Sequence, residues 1–172
     1  MSLLKRLFAS GAKDQARVRT LWHRVVEIAR KPSWYAKGGI ADSVEGRFDA
    51  ITLVLVTVML RMERTEYLRG MSARLTELFV DDMDGQLRQA GVGDLVMGKR
   101  MGKLMSVLGG RLDALRAALA DTDDTALIAA IERNVTLADN ASPAAIAAEL
   151  RVLAGTLAAL DDETLLDGRI AR

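Results

Sequence analysis

Apolar side chains recur at three- and four-residue spacing along most of this chain, the period of a helix that buries one face. From Asp14 to Arg30 they fall at Val18, Leu21, Trp22, Val25 and Ile28. Lys31-Pro32 ends that helix, because proline drives the residue before it out of the helical region. SWYAKGGIADS at 33–43 then predicts a loop, with Trp34 and Tyr35 adjacent and a break at Gly38-Gly39.

The next stretch admits two readings. Ile51, Val54, Val56 and Val58 are β-branched, and so short an apolar run suits a buried strand. No turn signal falls between Val44 and Leu68, however, and the flanks are charged at helical intervals. Length favours one central helix over 43–68, buried on most of its circumference. Gly70 predicts a break. Leu75, Leu78, Phe79, Met83, Leu87 and Ala90 then mark an amphipathic helix over 72–90. Another is expected over about 99–120, interrupted where Gly109-Gly110 weakens its interior. After the acidic turn DTDD, Leu127, Ile131, Val135 and Ala138 line a further face. Ser142 and Pro143 supply an N-cap and a first helical position for a last helix, which buries Ile146, Leu150, Leu153, Leu157 and Leu160. The expected fold is all-α: one compact multi-helix domain over 13–160. A short amphipathic segment at 1–12 (Leu3, Leu4, Leu7 and Phe8 opposite Lys5 and Arg6, set off by Gly11) precedes it. A loose carboxyl-terminal tail at 161–172 follows it.

Composition narrows the class. With 172 residues, half of them hydrophobic, the chain is long enough for one domain with a sizeable core. It has no cysteine, and His23 is its single histidine, so thiol catalysis, disulfides and a zinc site are not expected. The longest uncharged central run, AITLVLVTVML at 50–60, falls well short of the ~20 residues of a spanning helix. The net charge of +1 conceals a gradient: +7 over residues 1–40, zero over 41–112 and −6 over 113–172. A basic amino-terminal third suits an anionic partner such as RNA, a ribosome or a lipid surface.

One stretch imitates two ligand loops. Aligning Asp82, Asp84 and Gly85 with the third, fifth and sixth positions of a calcium loop puts Val80 first and Gly91 last, so two oxygen ligands are missing. Gly93 to Gly98-Lys99 has the spacing of a phosphate loop, but Arg100 stands where a hydroxyl is needed and no strand precedes it. Structure explains these residues better: Asp84 is four positions before Arg88, Gly91 is a left-handed helix stop, and Asp94 suits a helix N-terminus. Glu45, Arg47 and Asp49 in EGRFD read as local salt bridges at a helix start. No enzyme signature and no cofactor site emerge.

Taken together, the loops resemble the ubiquinol–cytochrome c chaperone family. The resemblance rests on Trp22, Ala29-Arg30, Pro32, Trp34-Tyr35, Asp42, Gly46-Arg47-Phe48 and Phe79. It continues through DMDGQLRQAGVGD at 82–94, Gly98-Lys99, Met101, Lys103 and Gly110-Arg111, so it covers about residues 15–120. Two positions depart from the family: LVLVTVML replaces a stretch carrying a histidine, and Leu115 stands where a tyrosine is expected. The resemblance implies a non-enzymatic assembly factor that attends newly made cytochrome b, with a second assembly factor or the ribosome as a further partner and no DNA. Because Trp22 comes so early, it also implies a bacterial protein, cytoplasmic and peripheral to the inner membrane. The client surface is expected at Trp34, Tyr35, Arg30, Lys31, Arg47, Phe48, Lys99, Arg100, Met101 and Lys103, with Met97 and Met105 alongside, since methionine adapts to varied apolar partners. The equal alternative is that Met101 and Met105 are core and Trp34 caps a helix end. The alternative is a ribosome- or RNA-associated helical module that uses the basic amino-terminal third.

Overall fold

A computed structural model describes residues 3–89, 91 and 93–171, with side chains from residue 13 onward except at 94 and 95. The amphipathic reading of Leu3, Leu4, Leu7 and Phe8 and the side-chain role of Asp94 lie outside the described residues.

The described residues form seven α-helices: α1 (Leu3–Ala29), α2 (Val44–Met62), α3 (Glu66–Gln89), α4 (Asp94–Ala120), α5 (Thr125–Asn134), α6 (Pro143–Ala158) and α7 (Asp162–Leu166). A single π-helical turn, Ser33–Lys37, stands between α1 and α2. The all-α expectation holds, and the only extended pairing among the described residues is an isolated bridge between Ile40 and Leu137.

The β-branched run is helical because of where it sits. Helices α1, α3, α4 and α6 all pack against α2, and every residue from Asp49 to Val58 is buried. A segment enclosed on all sides needs its backbone hydrogen bonds satisfied internally, which a helix does and a lone strand does not. Each large side chain so enclosed contributes roughly 1.5–3 kcal/mol.

Several predicted boundaries move. The central helix ends at Met62, not near Leu68, and the chain turns at Glu63–Thr65. There the Thr65 hydroxyl accepts from the Leu68 amide at 3.4 Å and starts α3. Gly70 does not break the chain; it lies exposed within α3, where a missing side chain costs only about 1 kcal/mol of propensity. Gly11 and Gly109-Gly110 are likewise carried through inside α1 and α4. Helix α4 begins at Asp94, with Gly91 as the left-handed stop before it at φ 81°. Helix α5 ends at Asn134, leaving Val135 as its cap and Ala138 outside. Ser142 caps α6 by accepting from the Ala145 amide, with Pro143 at the first position.

The carboxyl-terminal residues form no loose tail. Helix α7 and the turn after it bury Leu165, Leu166 and Ile170. Arg17 of α1 pairs with Glu163 and Asp167, each at 2.7 Å, while Arg24 donates to the Ile170 carbonyl at 2.6 Å. The basic first third of the chain thus spends part of its charge on the acidic last third. A second clamp joins α2 to the α6–α7 corner. Buried Arg61 donates to the Leu157 and Leu160 carbonyls and to Asp162 Oδ1 at 2.9 Å, and Thr65 donates to Asp162 Oδ2 at 2.8 Å. Partial burial pushes the Asp162 carboxyl up, but the hydrogen bonds from Arg61 and Thr65 outweigh it and hold the group below the ordinary carboxylate range.

A depressed folded-state pKa stabilises the protein above the unfolded value, ~3.9 for aspartate, and that contribution fades as pH falls through the folded value. Denaturant unfolding of the wild type and Asp162→Asn should therefore differ at pH 6 and converge as pH drops below about 4. A stability gap that stays constant with pH would disprove this linkage.

Candidate functional site

The end of α1 explains the adjacent aromatics. A helix leaves its last carbonyls without intrahelical donors. Here the chain folds back through the π-helical turn, so that the Trp34 indole N–H donates to the Ile28 carbonyl at 2.9 Å and the Tyr35 hydroxyl to that of Ala29 at 3.0 Å. Trp34 is 0% exposed. Its expected place on an exposed client surface is therefore corrected: it is a core residue that caps a helix end. Tyr35 is half-buried and reaches the surface.

After that turn the chain runs extended past the start of α6. Gly39 adopts φ 80° and lies so close to Ala141 that a Cβ would stand 2.4 Å from its Cα. Gly46, in the first turn of α2, faces the Ala41 carbonyl; a Cβ there would come within 1.9 Å of that oxygen. The glycine of GRF is thus a packing requirement that lets α2 start directly beneath the 38–41 segment.

These contacts shape an open groove of about 570 Å³, lined by Arg30, Pro32, Tyr35, Ala36, Asp42, Arg47, Ile51 and Gln86. Arg47 reaches Asp42 Oδ1 through Nε and Nη2, both at 2.8 Å. That hydrogen bond raises the Arg47 guanidinium above its usual value. Burial raises the Tyr35 phenol; Arg47 and Arg30 oppose the shift and Asp42 adds to it, so at neutral pH the hydroxyl keeps the proton it donates.

The structure gathers Arg30, Tyr35 and Arg47 and leaves the other expected residues elsewhere. Phe48 is half-buried beside Phe79, with ring centroids 6.2 Å apart. Lys31 is half-buried outside the groove lining. Lys99, Arg100 and Lys103 are exposed on α4, and Met101 packs partly against the core; none of the four lines the groove. Met97 is buried and Met105 is exposed. The stretch that imitates ligand loops is continuous helix over 80–89, with Asp84 held by Arg88 at 2.8 Å, and Gly98-Lys99 lies inside α4.

Sequence reasoning missed a buried polar node. Asp49 is not part of a local cluster with Glu45 and Arg47. Its Oδ1 takes the Arg111 guanidinium and its Oδ2 accepts the Thr136 amide at 2.7 Å. Arg111 also donates to the Thr52 hydroxyl and the Asn134 carbonyl, and stacks over Phe48 at 5.6 Å. Both charged side chains are 7% exposed. This node ties α2, α4 and the turn after α5 together behind the groove. The available signal was Asp49 standing at the edge of an otherwise uncharged run.

The open groove, with Arg30 and Arg47 in its lining, lies on an all-helical body, and no helix among the described residues is long and apolar enough to cross a membrane. The chain belongs to the ubiquinol–cytochrome c chaperone family, whose sequence model matches residues 36–172. The match extends through the acidic carboxyl-terminal helices, beyond the stretch to about residue 120 where the resemblance was legible. The crystal structure of the Cbp3 homolog from Brucella abortus is similar at a TM-score of 0.84 and 29% identity, over 98% of this chain and 96% of that one. No curated protein sequence matches the chain.

Proposed function

We propose that this protein holds newly made cytochrome b during biogenesis of the ubiquinol–cytochrome c reductase, with the groove between Arg30, Tyr35 and Arg47 as its client contact. Family membership over residues 36–172 carries this reading. The geometry fits a holding role. Apolar Pro32, Ala36 and Ile51 line the same groove as Arg30 and Arg47, a mixture suited to an apolar segment whose polar ends stay wet. A shallow, open surface also lets the client leave when its neighbours assemble. On this reading the protein is a binder without turnover, working beside the inner membrane into which its client inserts.

The contrary reading, an RNA or ribosome module built on the basic first third, is weakened because α7 and the turn after it take up Arg17 and Arg24. Deleting the gene should lower assembled reductase while general translation continues, and a photo-crosslinking residue at exposed Ala36 should capture cytochrome b. Normal reductase in the deletion strain would overturn the proposal.

A further inference from the structure

The two groove arginines differ in what they already hold. Arg47 presents two nitrogens to one carboxylate oxygen of Asp42, whereas Arg30 has no ion-pair partner among the described residues. The Arg47 and Asp42 side chains are 64% and 68% exposed. A pair so wet is screened by solvent and held weakly, so a competing carboxylate displaces it at little cost. With two arginines and one aspartate the groove carries a formal surplus of one positive charge, beside the apolar Pro32, Ala36 and Ile51. That balance suits one carboxylate set in apolar sequence. A nucleic acid or anionic membrane draws its affinity from many phosphates on many cations, and Asp42 repels it.

We propose that the groove recognises a carboxylate-bearing apolar peptide segment, and that Asp42 occupies Arg47 in the free protein as an internal stand-in for the incoming carboxylate. Arg30 is the second cation, and Pro32, Ala36 and Ile51 receive the apolar side chain next to the acid. The inference rests on the reading that the chain holds a polypeptide, and it specifies which feature of that polypeptide is read.

The test is fluorescence anisotropy of the purified full chain with two labelled Leu/Ala-rich peptides that differ only by Glu or Gln at one central position. The Glu peptide should bind about fivefold tighter, the scale of one solvent-exposed ion pair. Asp42→Asn should tighten the Glu peptide severalfold and leave the Gln peptide unchanged. Arg47→Gln and Arg30→Gln should each reduce the preference. All three positions are exposed, so thermal melts should be unaltered, and Arg30 and Asp42 carry the test if the Arg47 variant misfolds.

Equal affinity for the two peptides overturns the proposal, as does an Asp42→Asn variant that weakens both. So does competition by phosphatidylglycerol vesicles or single-stranded RNA that strengthens in Asp42→Asn, since the groove would then read phosphate. Loss of reductase on gene deletion without any Glu preference removes this proposal and leaves the chaperone reading standing. A clear Glu preference together with normal reductase supports the site and removes cytochrome b as its client.

Discussion

Arg111→Met should cost about 3–5 kcal/mol of folding stability, the range for removing one partner of a buried ion pair. The Asp49 carboxylate would be left buried with only the Thr136 amide, and Thr52 and the Asn134 carbonyl would lose their shared donor. For a chain of this length each kcal/mol lowers Tm by roughly 2–4 °C, so the variant should melt some 6–20 °C below wild type. Asp49→Asn should cost less, because an amide still accepts from Thr136. The double variant should be less damaged than the two single costs combined, since the second change removes the charge that the first strands. Costs that add to within about 0.5 kcal/mol would show that the two residues do not act as a unit.

Trp34→Ala should be of similar size, about 3–5 kcal/mol, because it empties the volume of a fully enclosed indole. The Ile28 carbonyl would also lose its donor, a further cost of about 1 kcal/mol. Trp34→Phe separates the two effects: the ring volume is largely kept while the N–H is lost, so most of the stability should return. Calorimetry and denaturant midpoints of the two variants measure this directly. If Trp34→Ala melted like wild type yet captured no client, the side chain would be a contact residue after all and its buried placement would be wrong.

These two residues show how unevenly the molecule can be read from its letters. Helix α1 is legible because Val18, Leu21, Trp22, Val25 and Ile28 alternate with charge at the helical period. The start of α6 is legible because Ser142 and Pro143 act through bonds only three residues long. Gly91 stops α3 through its own backbone preference, and Asp84 reaches Arg88 across one turn. Helix α7 was missed because its short apolar pair, Leu165 and Leu166, is too brief for a period, and what holds it is α1, some 150 residues away. Gly70 and Gly109-Gly110 were overread as breaks. A glycine weakens a helix by about 1 kcal/mol, which tertiary packing of the surrounding turns readily exceeds.

The candidate site divides in the same way. Arg30, Tyr35 and Arg47 were three of the ten residues expected at the client surface, and these three line one groove. Trp34, their neighbour in sequence, turns inward, because the carbonyls at the end of α1 need donors and the indole supplies one. Lys99, Arg100 and Lys103 lie apart on α4, a placement set by packing between helices.

The sequence alone determined what depends on neighbours within a turn or two: helical class, most helix faces, caps, the failed ligand loops and the absence of a long enough apolar span. Family membership was legible too, because its motifs occur along the chain in the family's order. Only the tertiary structure decided which face of the 32–47 connection meets solvent, which charges are buried as a pair, and that the last residues close onto the first helix. Those outcomes turn on contacts between residues far apart in the chain. No local period encodes them, since an arginine beside buried Asp49 and one beside open water are the same letter.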